Sequence, residues 1–293
     1  MNKILCGLLA ASLACAALAV RAADAPAENP AWTEAKAAAQ VGPADVAIAG
    51  QAKLHLPQGR IFIPQPQAGK LLTAMGNPGQ HSELAGLIFP QGGGEWFATL
   101  RYIPSGYVKD GDAKDWKADE LLASYKEGTE ASNAERVKMG VPALEIVGWA
   151  EPPAYEAASH RLVWAMSSKE KGAPDDAGRG VNYNTYALGR EGYLSLNFVT
   201  DLKDLPVQKP DAKALLGALE FDAGKRYEDF NASTDHVAEY GLAALVLGVG
   251  AKKLGLLAVI FAFVAKFAKV ILLAVVGLGA VVTKFFKRDK SAA

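Results

Sequence analysis

Hydrophobic and polar positions alternate in short runs through the middle of this chain, then give way to an almost unbroken apolar stretch in its last quarter. The clearest alternation lies in 192–200. There Leu194, Leu196 and Phe198 point one way while Tyr193, Ser195 and Asn197 point the other, as a half-buried strand requires. Residues 52–56 and 60–63 alternate on either side of Pro57-Gln58-Gly59 and together predict a hairpin. Further strands are predicted over 84–89, 95–103, 144–150, 160–167 and 181–188, with a long charged, glycine-rich loop over 169–180. Helices are predicted over 32–40 and 67–75. Another runs over 119–138, capped by Asp119 and stopped by Gly140 and Pro142, and a short one is opened by Pro210. The apolar stripe of 119–138 is thin (Leu121, Leu122, Tyr125, Val137), so this helix is expected to cover one sheet face while mostly solvated. Strands joined consecutively by turns, with a few helices, describe an α+β fold: an antiparallel sheet with flanking helices, followed by a C-terminal membrane helix.

The apolar stretch extends from Gly241 to Phe286 and is interrupted only by lysines, before the basic tail Lys287-Arg288-Asp289-Lys290. A span needs about 20 residues, and 264–283 supplies them. Lys266 and Lys269 lie at one end, where they can snorkel, and Lys284 lies just outside the other. The preceding part, 241–263, carries Lys252-Lys253 at its middle. It predicts an amphipathic helix lying along the interface, with a second span as the alternative. At the other terminus, a positive start, the apolar run Ile4–Val20 and small residues at Val20 and Ala22 predict a cleaved export signal. The expected organisation is therefore a signal (1–22), a mobile leader (23–44), a periplasmic domain (45–222) and a connector (223–240). The interfacial helix (241–263), the span (264–283) and a cytoplasmic tail (284–293) follow. The bulk of the chain is then periplasmic, held at the inner membrane.

Charge sharpens this picture. Residues 252–290 hold eight basic residues and one acid, a balance of +7, whereas 23–251 hold 21 basic and 30 acidic residues, a balance of −9. A basic apolar segment suits anionic lipid, so the bilayer is one expected partner. An acidic domain offers no footprint for nucleic acid. Both cysteines, Cys6 and Cys15, lie in the signal, so a chain cut after Ala22 has no thiol, disulfide or thiolate metal site.

Candidate chemistry is sparse. The histidines are His55, His81, His160 and His236, and none pairs at helical metal-ligand spacing, so no metal site is expected. His160, with Glu151 and Glu156 nearby in sequence, is the best acid–base candidate. Gly92-Gly93-Gly94 lacks the lysine and hydroxyl of a phosphate loop, and Asp110, Asp112 and Asp115 read as a solvated acidic turn. Trp149, Tyr155, Trp164, Tyr183 and Tyr186 sit on or beside neighbouring strands, as sheet packing or as a recognition face.

Several local motifs occur in one order. Gly148-Trp149 with Pro152-Pro153-Ala154-Tyr155, Leu162-Val163-Trp164-Ala165, and Asn182-Tyr183-Asn184 come before Leu188-Gly189-Arg190-Glu191-Gly192. Tyr227-Glu228-Asp229-Phe230 and Ala238-Glu239-Tyr240-Gly241 then precede the lysine-punctuated tail. In this combination the chain resembles an uncharacterised bacterial membrane-anchored family known only as a domain of unknown function. The resemblance implies an exported, anchored protein with no established activity. The arrangement of 119–219 is similar, in architecture only, to the PsbP-type sandwich. The expected function is a non-enzymatic adaptor or envelope-stress accessory without a cofactor, acting on an unknown envelope protein. The alternatives are a small-substrate hydrolase using His160 with Glu151 or Glu156, which requires those side chains to converge in a cleft, and a lipid or amphiphile carrier. The carrier requires an apolar pocket between helix 119–138 and the sheet.

Overall fold

The computed structural model of the chain describes residues 29–77, 81–92, 94–114 and 116–247. The export signal, the span 264–283, its basic tail and the interfacial segment beyond 247 lie outside the described residues. In chain order the elements are α1 (Pro30–Ala38), β1 (Gln40–Val41), β2 (Ala44–Ile48), β3 (Ala52–Leu56), β4 (Arg60–Pro64), α2 (Gln67–Ala74), β5 (Leu84–Pro90) and β6 (Phe97–Ile103). After them come α3 (Ala118–Lys138), β7 (Leu144–Glu156), β8 (Arg161–Glu170), β9 (Gly180–Leu188), β10 (Tyr193–Asp201), α4 (Leu205–Gly217), β11 (Leu219–Phe221) and α5 (Leu242–Val246). Eight strands form one antiparallel sheet of order β1-β4-β5-β6-β10-β9-β8-β7, and β11-β3-β2 form a second. This is the expected α+β class. Among the described residues no helix is long and apolar enough to cross a membrane.

The large sheet is covered on both faces. On one, Leu194, Leu196, Phe198, Leu100 and Ala98 meet the three-stranded sheet and the apolar side of α4 (Ala212, Leu215, Leu216). On the other, α1 and α2 close the β4–β5 end around Leu71, Leu84 and Leu87. The β7–β8 end of that face packs with α5 and Leu121 of α3 around Leu162 and Trp164. β10 is consequently buried on both sides over Tyr193–Leu196, rather than half-buried, because it lies near the middle of the sheet between two layers.

The predicted hairpin of 52–63 is not one. β3 pairs with β2 and β11, whereas β4 pairs with β1 and β5 in the other sheet. Burial explains the separation. β3 buries Ala52, Leu54 and Leu56 while Lys53 and His55 stay exposed, so it needs cover on one face only. β4 sends Phe62 into the core under the small sheet and Ile63 into the core under α1 and α2. Gly59, at φ 76°, supplies the left-handed turn that carries the chain from one layer to the other.

Three further expectations shift. The second half of the leader is structured: Ala35 of α1 is fully buried, and the Trp32 ring meets Phe89 at 5.9 Å. α4 begins at Leu205, with Pro206 in its first turn and Pro210 inside it. An internal proline costs about 3 kcal/mol in an isolated helix; here the burial of Leu215 and Leu216 outweighs it. Lys117, not Asp119, is the N-cap of α3, and Asp119 sits in the first turn, where its charge favours the helix N-terminus. As its thin stripe implies, α3 buries only Leu121 and Asn133. The Asn133 amide donates to the Leu144 carbonyl (3.0 Å) and accepts from the Leu144 N–H (2.8 Å), so α3 is pinned to the start of β7 by a side chain acting as a strand neighbour.

β6 finds its outer partner only in β10, through seven residue pairs from Tyr193↔Ile103 to Val199↔Phe97, and β3 finds one of its own in β11. A fragment of residues 45–105 lacks both partners and should show no cooperative melting transition by circular dichroism. A sharp, independent transition would show that this part folds without the later strands.

Candidate functional site

The hairpin between β7 and β8 turns at His160, which holds φ 51° although it is not glycine. Its carbonyl accepts the Leu188 N–H at 3.0 Å, and its ring lies 4.1 Å from that of Tyr227, so contacts on two sides hold the strained backbone. Tyr155, five residues earlier, donates its hydroxyl to Asp110 Oδ2 at 2.8 Å and sits 3.2 Å from His160 Nδ1. The single phenol proton goes to the carboxylate, so Nδ1–H of His160 is the donor to the phenol oxygen. Burial, then the Asp110 carboxylate, pushes the Tyr155 phenol far above the ordinary range and keeps it a neutral donor.

Asp110 belongs to the segment after β6, which is stitched to the chain ahead of α5. Tyr107 stacks on Tyr227 (4.3 Å) and Phe230 (3.9 Å), its N–H reaches the His236 carbonyl, and the Ala238 N–H reaches its own carbonyl. Tyr227 donates its hydroxyl to the Val108 carbonyl at 2.8 Å. Two residues beyond Asp110, the Asp112 carboxylate accepts the N–H groups of Leu242 (3.1 Å) and Ala243 (3.0 Å). These are orphan donors at the start of α5, and a carboxylate there also opposes the helix dipole. Behind it Leu242, Leu245 and Val246 are fully buried.

Residues 223–240 are therefore a strap tied to the domain, not a free connector. Arg190 in the β9–β10 turn forms a two-pronged pair with Asp235, Nε to Oδ2 at 2.7 Å and a terminal nitrogen to Oδ1 at 2.8 Å. Asp235 also accepts the Asn231 N–H and the Thr234 hydroxyl. Arg190 first, then Asn231, hold the Asp235 carboxyl far below its ordinary value of 3.8. A depressed carboxylate contributes stability above its unfolded-state pKa and loses it as pH falls toward the folded value. The melting temperature of Asp235→Asn should thus lie below that of the parent at neutral pH, and the gap should narrow as pH drops below 3.8. A gap independent of pH would show that the pair contributes nothing through charge.

Of the five aromatics singled out in the sequence, Trp149, Tyr155, Trp164 and Tyr186 gather on the α5 side of the large sheet. Trp164 meets Tyr186 edge-on (4.8 Å, 85°), and Tyr186 leans on Tyr193 (4.8 Å). Trp149 meets Tyr125 of α3 edge-on at 6.3 Å and donates its indole N–H to the Ala118 carbonyl. Tyr183 is on the opposite face, with Lys209 Nζ 5.9 Å from its ring centre. The three acid–base candidates do not converge. Glu151 pairs with Lys209, Glu156 accepts the Ser159 hydroxyl, and His160 joins Tyr155 and Asp110. Tyr125 and Trp149 stand between α3 and the sheet. Among the described residues, one surface cavity of about 510 Å³ lies beside α2 at Lys70, Thr73 and His81, and another of about 530 Å³ lies beside Glu83 and Tyr102.

Neither Asp110 nor Asp112 serves as a solvated turn; each holds a structural partner, and Asp115 lies outside the described residues. The carboxylates of Glu95, Asp201 and Asp204 come within 4.8 Å of one another, with Lys203 Nζ 3.7 Å from Asp201 and 3.9 Å from Asp204 as counter-charge. The arrangement as a whole can seat and orient the root of the apolar segment, through an aromatic floor, a carboxylate cap and a strap locked by Arg190.

Comparison with solved structures aligns the chain with cyanobacterial PsbP (CyanoP) from Synechocystis sp. PCC 6803, at 8% identity over 64% of this chain and 94% of that one, TM-score 0.38. It also aligns with the Ran-binding protein Mog1p of Saccharomyces cerevisiae, at 10% identity over 60% of this chain and 94% of that one, TM-score 0.32. No curated protein matches the chain. The family profile described as a protein of unknown function, DUF2167, matches residues 40–279, from β1 through most of the apolar segment, and the chain belongs to that family.

Proposed function

We propose that this protein is an exported, membrane-tethered interaction module whose domain is mounted on the root of its own apolar segment, and that it serves the envelope as a non-enzymatic adaptor or stress accessory. One observation carries the reading. The first residues of the apolar stretch, Leu242 to Val246, are part of the domain core and are capped by Asp112. A tether that only prevents diffusion needs no such seat; a module that must hold a fixed pose at the bilayer does. The family profile supports the same unit, since it runs through both domain and apolar segment. The polarity of the signal-like start and the lysines around 264–283 support export followed by one crossing. The hydrolase alternative needs convergent His160, Glu151 and Glu156, and their separate partners give it no support.

The test joins topology with association. Cysteine placed at Ser291 should be shielded from an impermeant thiol reagent in intact spheroplasts, and the protein should resist alkaline extraction from membranes. Photocrosslinking from the exposed loop 171–179 between β8 and β9 should then capture a discrete envelope partner. Labelling at residue 291, release by alkali, or the absence of any discrete adduct would each count against the proposal.

A further inference from the structure

The centre of a large sheet is normally its most apolar part, yet here the face shared with α2 and α5 carries a polar grid on its three middle strands. Register defines it. Arg101 on β6 lies opposite Ser195 on β10, which lies opposite Tyr186 on β9. In the adjacent row Thr99 lies opposite Asn197, and Asn197 opposite Asn184. Beyond each edge the rows turn apolar at once, to Leu84 and Leu87 on β5 and to Leu162 and Trp164 on β8. Two hydrophobic clusters thus flank a polar window, of which Tyr186 also packs into the cluster under α5.

The grid is only partly satisfied from within: Ser195 and Tyr186 hydrogen-bond to each other. The Arg101 side chain, partly exposed, makes no hydrogen bond or ion pair among the described residues, and Glu83 acts on it only through space. Asn197 Oδ1 and Trp164 Nε1 are buried without a partner, and Trp164 is 1% exposed. Thr99 and Ser195 are 6% and 7% exposed. Guanidinium groups held against a protein interior are ordinarily paired, and buried polar atoms are ordinarily hydrogen-bonded. A lone arginine among hydroxyls and amides is the complement of an oxyanion. Neighbouring strands stand about 4.8 Å apart and alternate residues about 6.8 Å apart, so the four side chains Thr99, Arg101, Ser195 and Asn197 bracket an area the size of one tetrahedral anion. The donors are Arg101 and the hydroxyls of Thr99 and Ser195. Asn197 Oδ1 is an acceptor, which the P–OH of hydrogen phosphate or of a singly ionised monoester satisfies and a sulfate or carboxylate does not.

We infer that this window is a binding site for a phosphate monoester group or inorganic phosphate, with Arg101 as its anchor and Asn197 as the group that reads the P–OH. The site stands apart from the seat of α5 and does not depend on the tether.

The experiment titrates the full chain, in a maltoside detergent that contains no phosphate, with inorganic phosphate and separately with sulfate by calorimetry. Saturable phosphate binding is expected, with sulfate weaker by about tenfold for the one unmatched hydrogen bond. Arg101→Gln should weaken phosphate by at least about tenfold, and Arg101→Lys by less, because charge remains while the planar fork is lost. Asn197→Leu should erase the preference over sulfate. Arg101→Leu should abolish binding while its melting temperature stays level or rises, since an unpaired cation is replaced by an apolar side chain. That readout separates a binding role from a structural one. Competition of inorganic phosphate by bicelles containing phosphatidic acid identifies a lipid headgroup as the source; competition by glycerol 3-phosphate alone identifies a soluble monoester. No saturable binding by the parent chain, equal affinity in Arg101→Gln, or a collapse in melting temperature for both Arg101→Leu and Arg101→Gln would overturn the assignment.

Discussion

Replacing Leu245 by aspartate is expected to detach the root of the apolar segment while the large sheet stays folded. Leu245 is fully buried, and removing it forfeits about 1.5–3 kcal/mol of apolar burial. Placing a carboxylate there adds several kcal/mol of desolvation, and Asp112 and Asp110 nearby offer repulsion rather than a partner. Over the described residues α5 is five residues long, too short to persist without the packing that seats it. With the chain's two cysteines, Cys6 and Cys15, replaced by serine, a single cysteine at Val246 is a clean reporter. It should be protected from thiol reagents with Leu245 present and react freely in Leu245→Asp, while the far-ultraviolet circular dichroism stays native. Equal protection in both would mean that the seat is not what holds the segment.

Gly192→Val is expected to prevent folding altogether. Gly192 sits where β10 begins, one residue before the Tyr193↔Ile103 pair, and its carbonyl accepts the Gly189 N–H at 2.8 Å. A Cβ at this position would overlap the Ile103 carbonyl oxygen and press on Pro104 Cα, both backbone and so unable to move aside. Relief requires β6 and β10 to part, and that junction joins the two halves of the sheet. The cost is on the order of 5 kcal/mol or more, comparable with the whole stability of a typical domain. Gly148→Ala is the contrast. Nothing lies within 4 Å of its added Cβ and its φ is not left-handed, so the change should stay within about 1 kcal/mol of neutral. Soluble yield and a melting curve for both variants check the pair.

What was legible in the sequence was whatever is local. Alternation placed the strands of 84–103 and 160–200 to within a few residues, because side-chain parity is a property of the strand itself; the strand expected over 144–150 runs on through Pro152-Pro153 to Glu156, where the prolines break the pattern. Which strand lies beside which is not local. β3 and β4 looked like a hairpin because the turn between them is a good one, but the turn carries no information about whether the two runs need the same layer. The same limit governs the site. Tyr155 and His160 are five residues apart and fell within view, whereas Asp110 is 45 residues from Tyr155, and Asp112 is 130 residues from Leu242. An acidic turn and a helix cap have the same composition, and only the partner distinguishes them. One missed signal was readable. Tyr183 and Tyr186 are three apart on one strand, an odd number, so parity alone places them on opposite faces.

β3 and β11 are joined across nearly the whole domain: His55 on β3 reaches Glu220 on β11, 165 residues later. Ribosomes make the first strand long before its partner exists, and closing so long a loop is slow. Until residue 221 has been made, the edge of β3 that β11 will occupy is unpaired, and the seat beneath Trp164 stays empty until residue 246. The same few residues that complete the sheet lead, within a short stretch of chain, into the apolar segment. Maturation of this protein is thus a timing problem. A chaperone that shields the β2–β3 edge during synthesis should raise its yield, and a stall placed just after residue 205 should leave it protease-sensitive along its entire length.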